Sequence, residues 1–461
     1  MQAALLQNRR DRIARAWDLA RGAVLIPAGL PVPRPGNDQF HDFHAHAEHY
    51  YLSGVATPGA VLTFDAAEGW TLFAPVPSED DRIWSGDGVG LDQLTAEAAL
   101  GRVLPIARLD GWVEKRRAEP IALLGNHDLE ARHREYGLGN WSSLELAIDE
   151  ALSTRLSDHV AEARRAKDAD EVELMRAAAV ASGAGHLTGM RLARAGMHER
   201  RLQVEIEADF FRAGSARTAY SSIVGSGANA GILHIQPSQR ALADGDLVLV
   251  DAAAEMAGYA ADVTRVYPVA ARFSGVQRDL YQLVLKTQEN AIAGVRPGVE
   301  FRELHLAAAY SIAEGLVSLG ILRGDPATLV ERDAHALFFP HGLGHMLGLA
   351  THDVSGCLAG REKSDRFGLK WLRTDLPLQP GYVVTIEPGI YFIPAILNDP
   401  ARRKRYADAV DWARVDSLLS FGGIRIEDDV LVTETGSDVL SGAIPKSIAA
   451  IEAIRAEALG A

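Results

Sequence analysis

One cysteine, Cys357, stands in 461 residues, so an intramolecular disulfide is excluded and a reducing compartment, the cytoplasm, is expected. Long apolar runs are lacking too. The opening "MQAALLQNRRDRIARAWDLARG" is charged and amphipathic, and prolines break "AVLIPAGLPVP" behind it, which argues against a signal-peptide core. No stretch approaches the roughly 20 apolar residues of a membrane span. Basic excess is missing: Lys and Arg number 47 against 61 Asp and Glu, a net charge of −14. A surface that tracks nucleic-acid phosphates needs the opposite balance. Low-complexity tracts and short repeats are absent, and a 48% hydrophobic content excludes extended disorder. What remains is a globular chain long enough for two or three domains.

Residues 1 to 162 read as an α/β domain. "GAVLIPA", "AVLTFD" and "WTLFAPV" have strand composition, while "LDQLTAEAALGRVL" and "SSLELAIDEALSTRLSDHVAEAR" have helical periodicity. A boundary is expected near Ala163, because Asp168 and Glu171 form a capping box for a long amphipathic helix. Within 163 to 461, helices are predicted over "HERRLQVEIEADFFRAG", "GVQRDLYQLVLKTQENAIAGV" and "FRELHLAAAYSIAEGLVSLGIL". Strand runs alternate with them. Helix pairs leading twice into antiparallel strands imply an α+β domain built of two similar halves.

Three of the strand runs carry acids. In "DLVLVDAAAEMAGYAADVTRVYPV" a β-rich run ends at Asp251, a small-residue turn follows, and Asp262 lies on the returning strand. Hairpin pairing would bring the two together on one side. The competing reading is a surface hairpin with two solvated aspartates. "VVTIEPGIY" places Glu387 after a run of β-formers, and "GGIRIEDDVLV" does the same with Glu427. Side chains two apart on a strand share a face, so Arg425 and Glu427 should point together. The segment "HGLGHMLGLATHD" adds His341, His345 and His352, and Gly342 and Gly344 make a regular helix there unfavourable. Four carboxylates and one imidazole suit two divalent cations, and the absence of thiolates favours Mn²⁺, Co²⁺ or Zn²⁺. A metal pair about 3.5–4 Å apart can hold and deprotonate a bridging water.

This combination resembles the pita-bread metallopeptidases that act on proline peptides, prolidase and aminopeptidase P, over nearly the whole chain and most strongly over residues 164 to 440. The resemblance implies a C-terminal pita-bread domain with two pseudo-symmetric halves behind a smaller α/β domain. It implies metal ligation by Asp251, Asp262, His345, Glu387 and Glu427, with Asp262 and Glu427 bridging two ions, Mn²⁺ foremost. Glu387 would also shuttle a proton, and His352, His341 and His234 would line the substrate cleft, with His352 near the scissile carbonyl. Tyr220 matches a pocket tyrosine. The implied reaction is attack of a metal-bridging hydroxide on an Xaa-Pro bond of a small peptide, without nucleic-acid or membrane partners.

Two features point to prolidase, a dipeptidase. Arg373 in "KWLRTDLPLQPGYVVTIEPG" resembles the arginine that clamps a free carboxylate; the other reading is a surface arginine. The insertion "YFIPAILNDPARRKRYADAVDWARVDSLLSFGG" is also prolidase-like in length, and Arg425 would support the same end of the substrate or orient Glu427. Aminopeptidase P, which releases the first residue of longer Xaa-Pro peptides, is the alternative. A non-catalytic peptide-binding relative of the same fold is disfavoured because all five ligand positions are filled. Trp84 in "DDRIWSG" matches a residue that reaches the partner in family homodimers; it is either an interface residue or a core tryptophan. His41, His44, His46 and His49 are irregularly spaced, and the matching family segment binds no metal.

Overall fold

The β-formers predicted at 22–28, 60–65 and 70–76 pair with one another. The structure, a computed structural model, describes residues 3–125, 146–358 and 360–460, and the chain divides into two compact units, Met1–Arg164 and Arg165–Ala461. In the first unit β1 (Ala23–Pro27), β2 (Val61–Asp65), β3 (Gly69–Ala74), β4 (Val103–Pro105) and β5 (Ile121–Leu123) form one sheet in the order β4-β3-β2-β1-β5. Leu25, Val61, Phe73, Trp112 and Leu123 pack on one side of it as a core.

Two helical expectations shorten here. The run 91–104 splits into helix Leu91–Ala98 and β4, because Ala99 adopts a left-handed φ of 48° that ends the helix. The helix expected over 142–164 begins at Glu150. Ile148 is instead bridged to Ile121, and Leu152 N–H donates to the Asp149 carboxylate at 2.9 Å, capping the helix there. Residues 142–145 of that expectation lie outside the described residues.

The second unit opens on helix Ala169–Leu192, whose Asp168/Glu171 capping box is formed, followed by helix Glu199–Arg212. Strands β6 (Arg217–Thr218), β7 (Ile223–Ser226), β8 (Leu247–Asp251), β9 (Ala254–Met256), β10 (Tyr259–Ala260) and β11 (Thr264–Pro268) follow. They build two three-stranded sheets, β11-β8-β7 and β10-β9-β6. The second half repeats the plan. Helices Gly275–Gly294 and Phe301–Ser318 precede β12 (Gly356–Cys357), β13 (Thr374–Asp375), β14 (Val383–Ile386), β15 (Gly389–Tyr391), β16 (Gly423–Arg425), β17 (Asp428–Val432) and β18 (Ser437–Val439). Here the three-stranded sheet is β14-β17-β18, with β15-β16 and β12-β13 as separate pairs. The α+β architecture with two similar halves is therefore present.

One expectation about the hairpin is corrected. Asp251 and Asp262 are not joined by a simple small-residue turn, because β9 and β10 form a subsidiary hairpin between them that pairs with β6. The direct partner of Asp251 across the ladder is Thr264, and Asp262 lies just before β11.

Candidate active site

Both antiparallel ladders end at acids. Asp251 closes β8 opposite Thr264, and Ile386 at the end of β14 faces Asp428, so Glu387 and Glu427 continue from that ladder on the same side. The ladder ends of the two halves are joined, since Glu427 N–H donates to Thr264 O at 3.2 Å. Arg265, fully buried, donates to Glu427 O at 2.6 Å and pairs with Asp428 at 2.7 Å, pinning the halves together.

The histidine-rich segment is not a helix. Leu343 to Leu347 run alongside β14: Glu387 N–H donates to Leu343 O (2.8 Å), Thr385 N–H to His345 O (2.9 Å) and Leu347 N–H to Val383 O (3.0 Å). Gly344 is required there, because a Cβ would stand 1.9 Å from Thr385 O. This pairing carries His345 to the acids, with Nε2 3.4 Å from Asp262 Oδ2 and 3.6 Å from Glu387 Oε1. Its Nδ1 faces Met346 O at 3.0 Å, which fixes a proton on Nδ1 and leaves Nε2, turned to the acids, as the nitrogen available to a ligand.

Ligand atoms of Asp262, His345 and Glu427 lie within 4.8 Å of one another, all buried, the one such grouping among the described residues. Burial, reinforced by neighbouring carboxylates, raises the pKa of Asp262 and holds that of Glu427 well above the usual range; Glu387 is pushed up to about 7. Clustered buried carboxylates are costly as bare anions. The oxygen-rich donor set with one imidazole fits divalent cations, which would relieve that cost. His41, His44, His46 and His49 form no comparable group; His49 is buried with Nδ1 2.8 Å from Ile26 O.

Sequence reasoning missed the residues that hold the donors. Thr264 donates to Glu427 Oε2 at 2.6 Å and accepts from Arg425 Nε at 3.0 Å. Its position two residues after Asp262, at the start of a β-rich run, was the available signal. Asp429 accepts the Asp262 N–H at 3.1 and 3.2 Å on its two oxygens. Arg425 is committed to protein partners, donating to Asp251 Oδ2, to Tyr391 Oη at 2.8 Å and to Thr264. It does share a side with Glu427, at 4.0 Å.

A cleft of about 570 Å³ opens on this group, lined by Asp251, Asp262, His345, Glu387, Glu427 and Arg425 and also by His234, His341, His352 and Arg373. The ring of His352 stands edge-on to His345, 4.4 Å between centroids. Burial, then His345 and Arg373, push its pKa down to about 4. Both His341 nitrogens are engaged, Nδ1 with Gly342 O at 2.8 Å and Nε2 with Tyr391 Oη at 2.9 Å, so its ring serves as a wall. His234 and Arg373 are exposed on the cleft. The loop before His234 is held by the buried Glu199, whose carboxylate accepts from Ser226, Asn229 and Ser238. Tyr220 is not among the lining residues: its hydroxyl donates to Asp251 Oδ1 at 2.6 Å, behind the donors. Trp84 lies in helix Glu79–Ser85 of the first unit and is 81% exposed, which excludes the core reading.

Residues 173–434 match the model of metallopeptidase family M24. The chain belongs to that family. Residues 6–120 match the N-terminal domain of aminopeptidase P. The M24 relatives include the Xaa-Pro aminopeptidase of Escherichia coli, 30% identical across 97% of this chain and 96% of its own length. A probable Xaa-Pro aminopeptidase of Botryotinia fuckeliana is 32% identical, covering 92% and 90%. Among solved structures, the aminopeptidase PepP of Pseudomonas aeruginosa superposes with a TM-score of 0.83 at 30% identity, covering 100% and 99%. These likenesses favour the aminopeptidase P alternative over prolidase. The insertion folds as helices Pro394–Leu397, Pro400–Arg405 and Trp412–Asp416, and Arg373 lines the cleft as expected of it. No helix among the described residues is long and apolar enough to cross a membrane.

Proposed function

We propose that this M24 metallopeptidase releases the N-terminal residue from peptides whose second residue is proline. The supporting observation is likeness to Xaa-Pro aminopeptidases along almost the entire chain, including the 6–120 match to the aminopeptidase P N-terminal domain. Asp251, Asp262, His345, Glu387 and Glu427 would hold two divalent ions, and the dominance of carboxylate oxygen suits Mn²⁺. When bound, such ions supply Lewis acidity for activating water and polarising a carbonyl.

The chain's own residues supply the rest. Glu387, whose carboxylate lines the cleft beside the other donors, is placed to take a proton and hand it to the departing proline nitrogen. That nitrogen belongs to a tertiary amide with no N–H, so the bond must be aligned through its carbonyl. His352, neutral at pH 7 and beside His345, can donate an N–H to that oxygen as charge develops. Tyr220, whose pKa burial and then Asp251 drive well up, stays protonated and keeps Asp251 oriented. The reading extends to a homodimer through the exposed Ile83–Trp84 face, 70% and 81% accessible.

The test is hydrolysis of Ala-Pro-Ala and of Ala-Pro by chelator-stripped protein with and without Mn²⁺. Metal-dependent release of alanine from the tripeptide is expected. Cleavage of the dipeptide alone would make the enzyme a prolidase, and no cleavage of either with any divalent ion would sink the reading.

A further inference from the structure

The cleft sorts its charges into two sets. Its carboxylates, Asp251, Asp262, Glu387 and Glu427, all belong to the buried donor group; its remaining cations, beyond Arg425, are Lys363, Lys370, Arg373 and Arg402. Arg373 is near enough to His352 to help depress its pKa. Two of the other three, Lys370 and Arg402, stand over aromatic rings. Lys370 Nζ lies 5.1 Å from the Trp371 ring and 5.7 Å from Phe367, and the Arg402 guanidinium is 5.2 Å from Phe367. Lys363 is exposed, Lys370 and Arg402 are half-buried, and Trp371 is 58% accessible. Among the described residues, the only carboxylate paired with any of the three is Asp399, 3.9 Å from Arg402, and it does not line the cleft. In a chain of net charge −14, such a patch is a local reversal of the protein's field.

We infer that Lys363, Lys370 and Arg402 form an anion-reading subsite that favours peptides carrying carboxylates on the residues after the proline. This rests on the aminopeptidase reading. The free amine of the first residue belongs at the acidic, buried end, so a longer peptide must leave through the open side. There its second and third residues past the scissile bond, each about 3.3 Å further along an extended chain, meet the cations. Phe367 and Trp371 hold two of those cations in place through their ring faces. A side-chain carboxylate and the peptide's own C-terminus offer the same chemistry.

The experiment uses the metal-loaded full chain with Ala-Pro-Ala-Ala and Ala-Pro-Glu-Glu, each as free acid and as amide. At low salt the Glu-Glu amide should exceed the Ala-Ala amide in kcat/KM by roughly tenfold, through KM, as expected of a few exposed ion pairs. The preference should shrink with salt and collapse in the K363Q/K370Q/R402Q protein. Because the ratio is taken within one preparation, loss of folded protein cancels. Preference for the free acid over the amide of Ala-Pro-Ala-Ala, with none for Glu-Glu, would assign the subsite to the C-terminal carboxylate. Equal rates on all peptides, or a preference that survives the triple substitution, would overturn the inference and leave the aminopeptidase reading standing. Cleavage of none would defeat that reading and the subsite with it.

Discussion

Gly344→Ala probes whether backbone pairing sets the position of His345. The added Cβ would lie 1.9 Å from Thr385 O, 2.7 Å from its carbonyl carbon and 2.8 Å from Thr385 Oγ1. Real Cβ contacts essentially never fall below 3.0 Å, so segment 343–347 and β14 must part by about 1 Å, against interior packing that tolerates little overfilling. The hydrogen bonds lost first are Thr385 N–H to His345 O and His345 N–H to Thr385 Oγ1, at 2.9 and 3.0 Å. Overpacking of this kind costs about 1–3 kcal/mol. A displacement of about 1 Å at a catalytic group costs on the order of 100-fold in rate. Denaturant unfolding, metal content after dialysis and kcat on Ala-Pro-Ala would all be measured. The expected result is a folded, less stable protein with lowered metal content and a kcat down by about two orders of magnitude. Gly275→Ala, whose Cβ meets nothing within 4 Å, is the control and should leave all three intact. A G344A protein with unchanged metal content and kcat would refute the claim that this close approach aims the imidazole.

Thr264→Val keeps the side-chain shape but removes the hydroxyl between Arg425 and Glu427; metal affinity, read by calorimetry, should fall about 10–100-fold, and an unchanged affinity would count against an orienting role. Stability should also fall on mild acidification. His49, His186 and His305 are fully buried, and burial pushes each from 6.5 down to about 4. Between those values the unfolded chain binds the more protons, so stability rises with pH through the window and is lost as pH drops from about 6.5 toward 4. Each histidine contributes on the order of 1 kcal/mol per pH unit. Urea unfolding at pH 7 and 5.5 reads the slope, and a His305→Gln protein with the wild-type slope would contradict this assignment.

The sequence legibly carried what depends on near neighbours. Alternation along β-rich runs put Asp251 and Glu387 at strand ends and set Arg425 and Glu427 on one side, because the two-residue strand period leaves a side chain little choice of face. The Asp168/Glu171 capping box marked the start of helix Ala169–Leu192 for the same local reason. Even the non-helical character of the His345 segment followed from Gly342 and Gly344 alone. What the chain's local pattern could not decide was which ladder ends meet. Joining Glu427 to Thr264 and drawing His345 onto β14 spans separations of 163 and 40 residues, and only packing of the two halves brings those atoms together. The same holds for Arg425: by sequence it was as apt for substrate as for support, and the tertiary structure committed it to Asp251 and Tyr391. A buried guanidinium goes to whichever carboxylates and hydroxyls the fold places within reach, since leaving it without them is too costly. The gathering of Lys370 and Arg402 about Phe367, from an insertion and a loop that are unremarkable separately, is likewise a product of the tertiary fold, because electrostatic neighbours are chosen by distance in space and not along the chain.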